Sequence, residues 1–224
     1  METNKKSIII NANTGNGWYP QGSQRLQRSL IHHGAHSDIK IWNDWPNNNY
    51  DKSCPYNIKA AAFEEAIKQG YTHILWLDCS VWAIANPMPV WDIINGEGAY
   101  FWSSGANCAE VCSDRCLDYY GVTRDEAEKI TDCSTSMFGV NLENPQAQAF
   151  MDRWLNAAKD GIFKGSRFHD GQSSDPRFKY FRQDQANASL CLHEQGFKVY
   201  QPGEYSSYYV PNPPETVVFL MQGL

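Results

Sequence analysis

Apolar positions in this chain come in short blocks separated by polar turns, and their spacing changes from block to block. Ser7 to Asn13 reads as a strand ending in a polar, glycine-rich turn, Asn13-Thr14-Gly15-Asn16-Gly17, with a helix following from about Ser23 to His33. Ile39 to Trp42 predicts a second short strand. The segment from Asn43 to Pro55 is rich in Asn and Pro and reads as a loop. Beyond it, Tyr56, Ala60, Phe63 and Ile67 recur at the spacing of one helical face, and this helix stops near Gly70. Thr72 to Leu77 is then an apolar run too short for a helix, which fits a strand buried on both faces.

Alternation of strand and helix predicts an α/β fold with a parallel sheet covered on both sides. Ligands of such sheets bind beyond the carboxyl ends of the strands, so Asn11 to Gly17, Asp78 to Ser80 and the start of the helix carrying Lys59 are expected at one edge. The second half is less regular. It predicts a strand over Ala99–Trp102, helical Ala109–Tyr120 and Thr123–Ile130, a strand over Ser136–Asn141 and a helix over Pro145–Lys159. A long irregular segment, Gly161 to Arg182, precedes a helix over Gln183–Glu194 and a strand over Lys198–Tyr200; irregular stretches of that length are often functional.

Composition narrows the class. With 224 residues, 42% hydrophobic, the chain has enough material for one sizeable core, and a single domain over residues 1–224 is expected. The longest apolar runs fall far short of the roughly 20 residues of a membrane span, and Met1 to Lys6 leads straight into a strand without a secretory pattern, so a cytoplasmic protein is expected. Seven scattered cysteines suggest reduced thiols. Cys108, Cys112 and Cys116 repeat every four residues, along one helical face, but miss the spacing of common zinc sites and read as buried small side chains. A net charge of −6 disfavours a general nucleic-acid binder. Between Arg153 and Arg182, however, seven Lys or Arg stand against three Asp, a local +4 suited to an anionic ligand.

Several polar residues stand where chemistry is expected. Asp78 ends the apolar strand Ile74 to Leu77, where a divalent cation would bridge it to phosphates; the same residue type also caps such turns. Lys59 lies near the first turn of its helix, at the ligand edge or as a solvated surface lysine. Asn11 and Asn13 close the first strand, a position Asn favours for turn chemistry alone. Asp184 stands at a predicted helix start, where capping competes with catalysis. Trp82 and Trp102 are core residues or stacking surfaces for a sugar.

Four stretches resemble a known family. PYNIKAAAFEEAIKQGYTHILWLDCSVW is similar to the centre of GT-A-fold glycosyltransferases, where a helix precedes a hydrophobic strand ending in Asp-x-Asp. IIINANTGNGWYPQGSQRLQRSL resembles their nucleotide-binding first strand and helix. TDCSTSMFGVN and DPRFKYFRQDQANAS look like their acceptor-side strand and Asp-Gln-bearing helix start. The resemblance implies a GT-A-like, Rossmann-like mixed sheet, mostly parallel and flanked by helices. It implies that Asn11, Ala12 and Asn13 hold uracil or ribose. Lys59, with the Arg153 to Arg182 cluster, would neutralise the donor diphosphate, Arg182 included. Asp78 would hold Mn2+ or Mg2+ with Ser80, which stands where the family has a second Asp. His169 or Asp170 would complete the set. Asp184 would sit beside the transferring sugar, as general base in an inverting enzyme or as orienting and stabilising group in a retaining one. Asp132 is the second choice for the base.

The function expected is therefore transfer of a sugar from a nucleoside diphosphate sugar, UDP-linked, to a hydroxyl acceptor on a glycan, a protein or a hydroxymethylated DNA base. The missing second Asp motivates a rival, an inactive module that binds nucleotide sugar or carbohydrate. A nucleotidyltransferase ranks third, because Asn13 to Gly17 followed by Arg25 is a poor version of that class's glycine-rich loop.

Overall fold

The computed structural model describes residues 6–165 and 172–223. β1 (Ser7–Ala12), β2 (Asp38–Trp42), β3 (His73–Leu77), β5 (Ala99–Asn107) and β6 (Thr131–Asn141) form a five-stranded sheet in the order β2-β1-β3-β6-β5. β1 pairs in parallel with β2 and with β3, whereas β6 pairs antiparallel with both β3 and β5. Four strands therefore point the same way and only β6 is reversed, the mixed, mostly parallel sheet expected from the sequence. A smaller sheet joins β4 (Val81–Ala83), β8 (Phe219–Met221) and β7 (Ser206–Tyr208) in that order.

Period-two alternation divides the main sheet's side chains between two cores. Ile8, Ile10, Ile74 and Trp76 face one, together with α2 (Asn57–Lys68), α7 (Pro145–Lys159) and α8 (Gln183–Gln195). Ile9, Leu75 and Leu77 face the other, against α1 (Tyr19–His32) and α3 (Met88–Glu97). The first core is aromatic at its centre. Phe63 of α2 stacks on Phe138 of β6 at 4.8 Å, and Trp154 of α7 meets both rings edge-on. Phe63 is fully buried, which contributes about 1.5–3 kcal/mol.

Some boundaries differ from the expectation for local reasons. The helix expected over Ala109–Tyr120 is two, α4 (Cys108–Val111) and α5 (Asp114–Tyr120), because extended Cys112 and Ser113 separate them and the Ser113 hydroxyl caps the second. The helix expected over Thr123–Ile130 shortens to α6 (Arg124–Ala127), which starts with a capping box of Thr123 and Glu126. Lys198–Tyr200 forms an isolated bridge from Tyr200 to Trp102 and no strand. All seven cysteines are free and buried, among them Cys108, Cys112 and Cys116, whose spacing implied burial. Among the described residues, no helix is long and apolar enough to cross a membrane.

Three features bring polar residues to one sheet edge. β1 and β3 run in parallel, so Asn13 and Asp78 emerge together. Gly22 of α1 packs on the backbone carbonyl of Cys79, where any Cβ would collide, and so holds the turn after β3 against the helix. The pairing of β6 with β5 jumps from Phe138↔Phe101 to Ser134↔Trp102, so Thr135, Ser136 and Met137 bulge out of that ladder. Such bulges re-aim side chains.

Candidate functional site

Two clefts meet at this edge. The larger, about 540 Å³, runs along Ala12, Asn13 and Thr14 and past Trp18, Tyr19 and Ser80. The smaller, about 220 Å³, lies between the bulge of β6 and the start of α8 and includes Ser134, Thr135, Arg182, Asp184 and Met221. Tyr56, Lys59 and Asp78 line both, so the two volumes join at these side chains.

Lys59 is the centre of this junction. Its Nζ lies 3.3 Å from Asp78 Oδ1 and 3.0 Å from Asp184 Oδ2, and it donates to the Thr135 carbonyl at 3.0 Å and hydroxyl at 3.2 Å. The Thr135 hydroxyl in turn donates to Asp184 Oδ2 at 2.7 Å. Trp76 Nε1 donates to Asp78 Oδ1 at 2.7 Å. Burial works against the Lys59 charge, but Asp184 and Asp78 more than offset it and hold its pKa above that of an ordinary lysine. The Asp78 carboxyl is pushed up by burial, against the lowering effect of Lys59 and the Trp76 hydrogen bond. With all three groups ionised the triad carries a net charge of −1.

Asp184 is fixed from its own side as well. Its carbonyl accepts from Trp154 Nε1 at 3.0 Å, and its side chain is 3% exposed. Gln183, just before it, has φ 38°, a left-handed value that costs a non-glycine residue of order 1 kcal/mol or more. The strained residue turns the chain from the irregular segment into α8 so that Asp184 points at the junction.

The other expected site residues divide sharply. Asn11 is buried and its amide is engaged: Nδ2 donates to the Leu77 carbonyl at 2.7 Å and Oδ1 accepts from the Ser23 hydroxyl at 2.8 Å. It ties β1 to the end of β3 and lines neither cleft. Asn13 does line the larger cleft, while its side chain performs turn chemistry, accepting from the Gly15 amide at 2.9 Å and donating to Ser23 at 2.9 Å. Ser80 is on the cleft wall. Its carbonyl accepts from Arg25, whose guanidinium lies 4.3 Å from the centre of the Trp82 ring.

Asp132, the second choice for the base, sits away from the junction. It is fully buried, lines neither cleft, and accepts hydrogen bonds from Ser104, Ser189 and the Gln185 amide. Burial raises its pKa to about 6 in spite of these donors. Gln185 Oε1 accepts from Arg182 at 2.9 Å, so Asp132 positions Arg182 through Gln185.

The basic segment is also different from its sequence. Lys159 pairs with Glu64, Lys164 with Asp51, Lys179 with Glu110, Arg153 with Glu194, and Arg177 with Asp125, Glu128 and Asp175. The charge of the segment is thus distributed into ion pairs, all but that with Asp175 formed with acids from elsewhere, and of its described cations only Arg182 lines the clefts. His169 and Asp170 lie outside the described residues. The chain's resemblance did not single out Thr135, Trp76 or Met221; Trp76 stands two residues before Asp78 on the same face of β3, a spacing that could have marked it, whereas only the bulge and the small sheet bring Thr135 and Met221 to the junction.

Among the described residues, no group of three His, Cys, Asp or Glu side chains is arranged to hold a metal ion. Asp78 and Ser80 nevertheless offer a carboxylate and a hydroxyl on one wall, hard oxygen donors of the kind Mn2+ and Mg2+ take, next to a triad of net negative charge.

No family model matches the sequence, and no curated protein matches it. Solved structures do. The apo structure of the bifunctional glycosyltransferase WbbM aligns with a TM-score of 0.54 and 11% identity over 96% of this chain and 45% of its own, so the chain spans less than half of that protein. The apo form of mouse xyloside xylosyltransferase 1 aligns at 0.52 and 10% identity over 96% of both chains. A glycosyltransferase involved in glycosylation of the major capsid of PBCV-1 aligns at 0.55 and 11% identity over 96% of this chain and 92% of its own. At such identities the likeness is one of fold: the chain has a GT-A-type glycosyltransferase fold.

Proposed function

We propose that this chain transfers a sugar from a nucleoside diphosphate sugar, UDP-linked, to a hydroxyl acceptor. The observation that carries the reading is the pair of carboxylates, Asp78 and Asp184, held on either side of Lys59 where a nucleotide-sized cleft opens into a sugar-sized one. The nucleotide would lie along Ala12 to Thr14, with the diphosphate at Asp78 and Ser80 and the sugar beside Asp184.

The bonds of the residues support a role for each. Lys59 spends its protons on Asp78, Asp184 and Thr135, so it fixes the two carboxylates instead of meeting phosphate. Asp184 Oδ2 already accepts from an ammonium and a hydroxyl. Held by these two donors at the edge of the sugar-sized cleft, the carboxylate is placed to stabilise the positive charge that develops at the anomeric carbon. In the transfer, the bond from that carbon to the diphosphate oxygen breaks and its electron pair leaves with the diphosphate. The acceptor oxygen bonds to the carbon, and its proton passes to the departing diphosphate.

Asp78 and Ser80 would hold Mn2+ or Mg2+, with His169 and the diphosphate oxygens as further ligands. Such an ion supplies charge compensation to the leaving group. With the other described cations of the basic segment engaged in ion pairs, little else along the described cleft does so. Seven unpaired cysteines favour a reducing compartment, the cytoplasm. Incubation with a panel of nucleotide sugars and Mn2+ or Mg2+ should release nucleotide from one of them. Binding without release would make the chain a binding module, and no interaction with any donor would remove the reading.

A further inference from the structure

Half of the exposed large apolar side chains among the described residues are consecutive. Tyr208, Tyr209 and Val210 are 44%, 49% and 38% exposed, and the other three, Tyr19, Ile31 and Met88, are scattered. The run begins in β7 and continues past its end, and the register of the small sheet decides where Tyr208 points. Tyr208 is opposite Met221, and Met221 is opposite Val81. Directly opposed residues share a face. Two residues earlier on that same face, Ser206 and Phe219 are buried, and the Ser206 hydroxyl bonds to Tyr100 at 2.6 Å. Tyr208 and Met221 therefore end an otherwise buried face, and Met221 opens onto the smaller cleft with Asp184.

The Tyr208 ring is braced. Its centroid is 5.1 Å from that of Trp102, which is wholly buried, so the exposed ring has a rigid backing. Its phenol lies in the field of Arg182, which lines the cleft, and of Asp132 behind it. Ser134 and Ser136 stand in the same cleft with their hydroxyls 2.8 Å apart. An aromatic face of fixed orientation beside hydroxyls and one guanidinium matches a sugar ring, whose C–H face packs on the aromatic ring while its hydroxyls meet the polar groups.

A nucleic-acid acceptor needs something else, a row of unspent cations for its phosphates. Among the described residues, Arg25 beside this rim is bonded to the carbonyls of Ser80 and Gln222, and Lys179 and Arg177 of the basic segment are paired with acids. We infer that Tyr208, with Met221 beside it, is the platform on which the acceptor stacks, and that the acceptor is a saccharide.

The inference rests on the glycosyltransferase reading, and one experiment separates the two. The full chain, with the donor that it binds, is offered methyl glycosides of glucose, galactose, mannose, xylose and N-acetylglucosamine, and an oligonucleotide with hydroxymethylated bases. Donor binding is followed by calorimetry in parallel. A methyl glycoside should be the acceptor. Tyr208→Ala should raise its KM about tenfold relative to the KM for donor, an amount equivalent to about 1.4 kcal/mol, and Tyr208→Phe should restore it. An unchanged acceptor KM in Tyr208→Ala, or transfer to the oligonucleotide and to no glycoside, overturns the inference and leaves the donor reading standing. A chain that binds no donor removes both.

Discussion

Replacing Lys59 by methionine deletes the ammonium between Asp78 and Asp184 and keeps most of the side chain's length. Asp184 then remains 3% exposed with no cation within hydrogen-bond reach among the described residues, whereas Asp78, 31% exposed, is partly relieved by solvent. Breaking a buried pair in this way costs about 3–5 kcal/mol, and the Asp78 side, screened by water, adds no more than about 1 kcal/mol. A loss near 4 kcal/mol is a large part of the roughly 5–15 kcal/mol of a typical domain, and at about 2–4 °C per kcal/mol it lowers Tm by roughly 10 °C.

The pH dependence gives this loss a signature. In the native protein the Lys59 pKa is raised, so its contribution is fully present at neutral pH and is lost only as pH climbs above the ordinary lysine range. In Lys59→Met two carboxylates face each other, and acid protonates one of them. The deficit should therefore be large at pH 8 and shrink by pH 5. Urea unfolding of both proteins at the two pH values measures it. Adding Asp184→Asn to Lys59→Met should recover most of the stability and none of the activity. A Lys59→Met protein within 0.5 kcal/mol of the native one at pH 8, or a deficit equal at both pH values, would refute the ion-pair account.

Two further outcomes follow. Asp184→Asn should lower turnover by about 10²–10³, the scale of a lost electrostatic contact to the transition state, with the donor Kd changed only a few-fold in calorimetry. Because Asp132 titrates near 6 in the fold against an ordinary 3.8, its favourable contribution is complete below 3.8 and gone above about 6. The native protein should therefore lose up to about 3 kcal/mol relative to Asp132→Asn between pH 4 and 7, and parallel stability curves would show that Asp132 is not buried as an acid.

Much of the fold was legible in the chain. β3 announces itself as an unbroken apolar run, and α7 spans the expected Pro145–Lys159 because Asn144 caps it and Pro145 suits its first turn. β4, β7 and β8 are three residues each, too short for a period to show, and α3 hides between Pro87 and Gly98 with Gly96 inside it. At the site, Asp78 and Asp184 were visible as polar residues ending a strand and starting a helix. The role of Lys59 was not, because its partners lie far along the chain and only folding brings them within 3.3 Å. The pairing within the basic segment was hidden for the same reason: Lys159 and Lys164 find Glu64 and Asp51, about a hundred residues earlier.

The central claim is that the junction of the two clefts binds a nucleotide diphosphate through Asp78. Calorimetric titration of UDP in the presence of Mn2+ tests it directly on the native chain and on Asp78→Ala. Saturable heat from the native protein that falls at least tenfold in affinity in the variant is the predicted result. Equal binding by both proteins, or no binding of UDP or any other nucleoside diphosphate by the native one, would contradict it.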